Sequence, residues 1–242
     1  MFVEVMLIVV ATSIIQSVFG AGVLLFGTPL LLLFGYEFVD VLTILLPISI
    51  AINLLQILKD HTQIDFVFYR NIAILTLPFI AVFLFLVTHA RINFSLLIGV
   101  FLLFIAVKEI LPPVARIIDN MMKFEKPYFV VMGIVHGVSN LGGSLLTAMV
   151  HHKNYQKDVA RVTVAASYCT FALIQLLTLA LFSKQSIDVS INHTGIYAIV
   201  GVLVFVLSDE VLYAQIDREK YQRIFAGFLA ISGAVLVLRS MA

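Results

Sequence analysis

Long apolar runs alternate with short polar clusters along all 242 residues of the chain. Crossing the hydrocarbon core of a bilayer takes about 20 apolar residues in a helix. Six runs fit one crossing each: residues 39–58, 67–87, 94–111, 159–182, 194–213 and 222–241. Two stretches break the pattern. Residues 3–34 are too long for one helix and are interrupted by Phe19-Gly20-Ala21-Gly22, with Pro29 beyond. Residues 128–150 have an ordinary length but hold Gly137-Val138-Ser139-Asn140-Leu141-Gly142-Gly143-Ser144 at their middle. Glycine is disfavoured in helix interiors, and Asn and Ser offer competing local hydrogen bonds. Both stretches therefore predict broken helices or re-entrant hairpins. A helix over residues 3–18 would be about 24 Å long, which is long for an arm reaching half-way across.

The distribution of basic residues tests this reading, because Lys and Arg accumulate in cytoplasmic loops. If every stretch crosses once, eight basic residues fall on one side and seven on the other, which is no bias. If residues 128–150 dip in and return, one side collects Lys59, Arg70, Lys108, Arg116, Lys123, Lys126, Lys153, Lys157, Arg161, Arg218, Lys220 and Arg223. The other side keeps Arg91, Lys184 and Arg239. Twelve against three is the bias of a multi-pass protein of the cell (inner) membrane. No basic residue precedes residues 3–34, so there an internal repeat decides. Tyr36-Glu37-Phe38-Val39-Asp40-Val41 lines up with Tyr155-Gln156-Lys157-Asp158-Val159 across a one-residue gap. Onward from Asp40 and Asp158, Ser49 falls opposite Ser167, and Gln56 lies one place from Gln175. The expected fold is an all-α integral membrane protein of two inverted-topology repeats, residues 1–118 and 119–242. Each repeat is a broken or re-entrant helical hairpin plus three transmembrane helices. The boundary falls in a loop over 112–127, with Pro112-Pro113 and Pro127 as breakers.

Composition agrees with a membrane protein. The chain is 62% hydrophobic and 12% charged, with a mean hydropathy of +1.10, whereas soluble domains carry about 25% charged residues. A net charge of +1 gives no footprint for nucleic acid. The single cysteine, Cys169, excludes a disulfide framework and a thiolate metal site, and reads as a small buried hydrophobe. The first run carries Glu4 and no basic residue ahead of its apolar part, and no cleavage site follows, so it reads as a retained segment rather than a signal peptide.

Inverted repeats with discontinuous helices are the architecture of secondary transporters, whose sites lie where the breaks meet. A helix that starts inside the membrane aims N–H groups and a positive dipole end at its cavity, which suits an anion. Gly20 and Gly22 in the first break, and Gly142 and Gly143 in the second, would let backbone approach a ligand; the bland alternative is close helix packing. Polar side chains at membrane depth are costly and mark sites by default. Gln16 and Ser17 precede the first break, and Ser49, Asn53 and Gln56 form one stripe of the next helix. His136, Ser139, Asn140, Ser144 and Thr147 surround the second break, with Ser167, Thr170 and Gln175 on the helix after it. For Ser and Thr the competing reading is a bond to their own helix carbonyl. His136 is placed either to carry a coupling proton or to act as a packed donor. His151-His152 read as a solvated hairpin end rather than a metal site. No Lys, Arg, Asp or Glu is expected deep in any span, and no metal or cofactor is implied.

At the two breaks the chain resembles the TauE/SafE family of sulfite and organosulfonate exporters. That family runs Gly-x-Gly, a few small or apolar residues, then Pro-Leu-Leu; here the counterpart is Gly20-Ala21-Gly22 followed by Pro29-Leu30-Leu31. The second half repeats it as Gly137 to Leu146 but has Met149 where the family often keeps a proline. The resemblance implies export of a small anion such as sulfite or an organosulfonate; the inverted repeats imply alternating access, and the polar residues above are the candidates for binding the anion.

Two other classes stay open at this point. A passive anion channel would use the same hairpins as a continuous pore. An intramembrane serine enzyme would need a nucleophile and base together; Ser139 and His136 are three apart, but there is no Gly-x-Ser-x-Gly elbow and no carboxylate pair at depth. Substrate, direction and coupling ion are not legible. A homodimer is compatible with the chain, because lipid-facing and partner-facing surfaces are equally apolar.

Overall fold

A computed structural model of the chain describes residues 2–20, 22–90, 94–183, 191–212, 227, 230–238 and 240. The described residues are helical nearly throughout. The first apolar stretch forms α1 (Phe2–Phe19) and α2 (Val23–Leu33), separated at the predicted glycines. Three helices follow: α3 (Phe38–Asp60), α4 (Phe66–His89) and α5 (Phe94–Ile110). The second broken stretch is α7 (Glu125–Ser139) and α8 (Gly143–His152), followed by α9 (Lys157–Phe182) and α10 (Ile191–Leu212). Residues 230–238 of the last run are helical, and the remainder of that run lies outside the described residues. The α3 helix with the short 3-10 turn after it, α4 and α9 are long and apolar enough to cross a membrane.

One expectation is corrected. Residues 112–122 are not a loop but α6 (Pro112–Met122). Its two prolines sit at the first helical positions, where a missing N–H breaks no intrahelical bond and the fixed φ already suits a helix. Pro127 falls in the first turn of α7 for the same reason. Ile118 and Met122 of α6 are buried against the bundle, while Arg116 and Lys123 are exposed.

Each broken pair enters and leaves at the same end of the bundle. Glu125 opens α7, and Lys153, just beyond α8, reaches it at 2.6 Å. Tyr36, just beyond α2, is within electrostatic reach of Glu4 in the first turn of α1. The two pairs also end alike. Gly20 and Asn140 both adopt left-handed backbone, with φ of 72° and 61°, and each donates its N–H to the carbonyl four residues back, Gln16 or His136, at 2.8 Å. Gly35 and Asn154, the other left-handed residues among those described, stand in the turns leading to α3 and α9.

Packing partners repeat in the same way. The α4 helix lies on α7 as α10 lies on α1, and α4 touches α9 as α10 touches α3. At the centre α3 packs on α9. Lys59, at the end of α3, and Arg161, near the start of α9, both bind Asp209, so these two helices run in opposite directions. Close approach comes from small residues. A Cβ on Gly133 would stand 2.6 Å from the Thr76 carbonyl, and one on Gly137 would stand 2.7 Å from that of Ile80.

The end carrying Lys153 is tied together by Asp65. Its carboxylate caps α4 by accepting from the Phe68 N–H at 2.9 Å and accepts the Tyr155 hydroxyl at 2.6 Å. Its own N–H donates to Thr163 Oγ1 at 3.1 Å. Burial alone would raise the Asp65 pKa, but these donors and the Lys153 charge outweigh it and hold the carboxyl below its ordinary value. A depressed pKa contributes stability above the unfolded value that is lost as pH falls through the folded one. Tyr155→Phe removes one donor, so the folded value should rise. We expect a cost of about 1 kcal/mol near neutrality and an acid-unfolding midpoint moved to higher pH, measured by circular dichroism in detergent.

Candidate functional site

The first break is held by side chains rather than left open. Gln16, in the last turns of α1, accepts through Oε1 from the Val23 N–H at the start of α2, at 2.9 Å. Its Nε2 donates to Asn53 Oδ1 at 3.0 Å, and Asn53 Nδ2 donates to Ser49 Oγ at 3.0 Å. Three of the residues singled out from the sequence thus form one buried relay from α3 to the broken helix. The reason is local: a helix starting inside the protein needs acceptors for its first N–H groups, and an amide supplies one. Gln56, one turn beyond Asn53, is buried with neither amide atom bonded. Ser17 donates to its own helix at Ile14.

The second break has a related plan. His136 Nε2 bonds Gln175 Oε1 on α9 at 3.2 Å, and its ring lies 4.9 Å from the Phe171 ring. With that oxygen as acceptor, the imidazole proton sits on Nε2. Nδ1 of His136 and Nε2 of Gln175 are buried without partners. Asn140 Nδ2 donates to Thr28 Oγ1 of α2 at 2.9 Å, which joins the second break to the first hairpin, and Asn140 Oδ1 is buried and unbonded. Ser139 donates to Val135 and accepts from the Leu141 N–H; Ser144 donates to Leu141. Ser167 and Thr147 bond the carbonyls of Thr163 and Gly143 in their own helices. Thr170 does so with Ala166 and also meets the Tyr69 hydroxyl at 2.7 Å.

The glycines of both breaks face protein. A Cβ on Gly22 would stand 2.5 Å from the Gln16 nitrogen, and one on Gly142 would stand 2.5 Å from His136 Cβ. The Tyr168 hydroxyl occupies the place of a side chain at Gly143. The first break touches α9 at Arg161, and the second touches it at Tyr168, seven residues on, or about 10 Å along the helix.

A buried ion pair is the feature that sequence reasoning missed. Arg161, one turn into α9, and Asp209, near the end of α10, are 7% and 8% exposed and paired with each other. Thr28 was also passed over, although a polar residue in an apolar run beside Pro29 is itself a signal.

A family model described as Sulfite exporter TauE/SafE matches residues 5–236, which takes in both breaks and the helices that carry their partners. This chain belongs to the TauE/SafE family. It is a helical membrane protein of a transporter family. No curated protein and no solved structure matches it.

Proposed function

We propose that the protein carries a small sulfur oxyanion, sulfite or an organosulfonate, across the cell (inner) membrane between the two broken hairpins. The match to the sulfite exporter family over nearly the whole chain carries this reading. The geometry supports it through the Asn140–Thr28 bond, which makes the two hairpins one polar seam. Donors without partners lie on the helices that hold the breaks, at Gln56 of α3, one turn beyond Asn53, and at Gln175 of α9, which bonds His136. Amide and hydroxyl donors aimed at a desolvated oxyanion are how neutral sites hold anions.

The reading includes alternating access by two inverted repeats, residues 1–118 and 119–242, joined through α6. The matched left-handed caps, the exchange of packing partners and the antiparallel α3 and α9 support it. Rocking one repeat against the other would expose the seam to each side in turn. The basic residues of the α3–α4 and α8–α9 connections would face the cytoplasm.

Flux in proteoliposomes tests the reading. Sulfite and methanesulfonate should show saturable counterflow, and acetate should run at least about tenfold slower. Ohmic, non-saturating current would replace the carrier with a channel. Equal rates for acetate would remove the sulfur oxyanion as the cargo.

A further inference from the structure

Arg161 lies one turn into α9, among residues that by sequence belong to a basic loop, yet its side chain is 6% exposed. It donates to the Ser17 carbonyl in the last turn of α1 at 3.3 Å and to Oδ1 of Asp209 on α10. Its guanidinium carbon stands 5.8 Å from the Phe205 ring. The first break is shaped around it: a Cβ on Gly20 would stand 3.0 Å from Arg161 Cγ, on a residue already in left-handed backbone. The second oxygen of Asp209 accepts from Lys59 at 3.1 Å, and the Lys59 side chain is 61% exposed. Among the described residues two cations therefore share the Asp209 carboxylate, one buried at Arg161 and one open to solvent at Lys59.

A buried guanidinium must keep an anion beside it, since removing the partner leaves an uncompensated charge. Its planar fork accepts two oxygens of a sulfonate or sulfite as readily as those of a carboxylate. We propose that Arg161 is an oxyanion site, and that Asp209 is its tethered counter-ion, displaced when a small sulfur oxyanion arrives past Lys59. The exposed ammonium attracts the anion, and the guanidinium binds it. Because Arg161 also holds the Ser17 carbonyl, exchanging one anion for the other bears directly on the end of α1 and the first break. The cargo class rests on the transport reading above; the site itself does not.

The test is binding of methanesulfonate to purified protein in detergent by calorimetry, with thermal stabilisation as a second readout. Methanesulfonate stays ionised across the usable pH range, so only the protein varies. Asp209→Asn removes the tethered competitor and should bind at least about tenfold tighter than the unmodified protein, with a larger ligand-induced rise in Tm. The double variant Arg161→Gln, Asp209→Asn replaces the pair by neutral groups, so it should fold, and binding should be lost. Asp209→Asn binding no tighter, or the double variant binding like the unmodified protein, overturns the proposal. Sulfite flux at full rate in the double variant also overturns it and leaves the transport reading intact. If the unmodified protein moves neither sulfite nor methanesulfonate while Asp209→Asn binds methanesulfonate through Arg161, the site stands and the transport reading falls.

Discussion

The double substitution Gly133→Val, Gly137→Val is expected to leave no monodisperse protein after extraction in mild detergent. In a membrane the lipid is as apolar as the side chains, so helices are held by close packing rather than by expulsion of apolar surface from water. The two glycines lie four residues apart on α7 and face one side of α4. There a Cβ would stand 2.6 Å from the Thr76 carbonyl and 2.7 Å from that of Ile80. Backbone cannot move aside as a flexible side chain can, so α7 itself must back away. Overpacking costs about 1–3 kcal/mol per site, and here both sites act on one interface. Retreat of α7 would also stretch the Thr76–Phe129 bond of 3.1 Å that ties the same pair. Size-exclusion profiles and thermal melts check this, with Gly195→Ala as the reference: nothing lies within 4 Å of that position on α10. A helical Gly→Ala change in open space should be neutral or stabilising. A double variant that melts within a few degrees of the parent would show that α4 and α7 are not held by close approach.

Both breaks were legible because glycine and asparagine announce themselves in an apolar run. Among the described residues helix bounds then fell within a few residues of the runs, since in a membrane segment apolar length leaves little else to choose. What was not legible depended on the partner. Pro112 and Pro113 mark a loop only if they lie inside a helix; at its first two positions they start α6 instead. Arg161 was counted with a basic loop because it follows Lys153 and Lys157 by a few residues. Its burial is decided by Asp209, forty-eight residues on, and by Ser17 and Gly20 of the other half. A charge pattern along the chain carries no sign of such a partner. Likewise, the dipole argument for anions at the start of α2 could not know that Gln16 already accepts from Val23. That amide sits seven residues back and returns only because α2 folds against α1. The sequence argument named polar residues near the breaks while leaving their partners, and hence the cationic cluster, out of view.

Asn140 is the residue whose substitution should separate folding from transport. It does two jobs that different variants remove. Its backbone is left-handed at φ 61°, a conformation that glycine and asparagine adopt readily and that costs other residues roughly 1–2 kcal/mol. Its side chain donates to Thr28 across the two hairpins. Asn140→Gly keeps the backbone and deletes the bond. The variant should extract and melt close to the parent, because one neutral hydrogen bond contributes only about 1 kcal/mol. Flux should nevertheless fall by about tenfold or more, since a seam that loses its link no longer holds the second break against α2, and 1.4 kcal/mol at the transport barrier is already tenfold. Asn140→Leu loses the same bond and adds backbone strain at φ 61°, so Tm should fall along with flux. Thr28→Val tests the same bond from the other side and should reproduce the glycine variant, with flux reduced and the fold retained. Asn140→Gly and Thr28→Val both transporting at the parental rate would mean that the bond between the hairpins is packing alone. The functional weight would then shift to Gln56, Gln175 and the Arg161 cluster, which lie on α3 and α9.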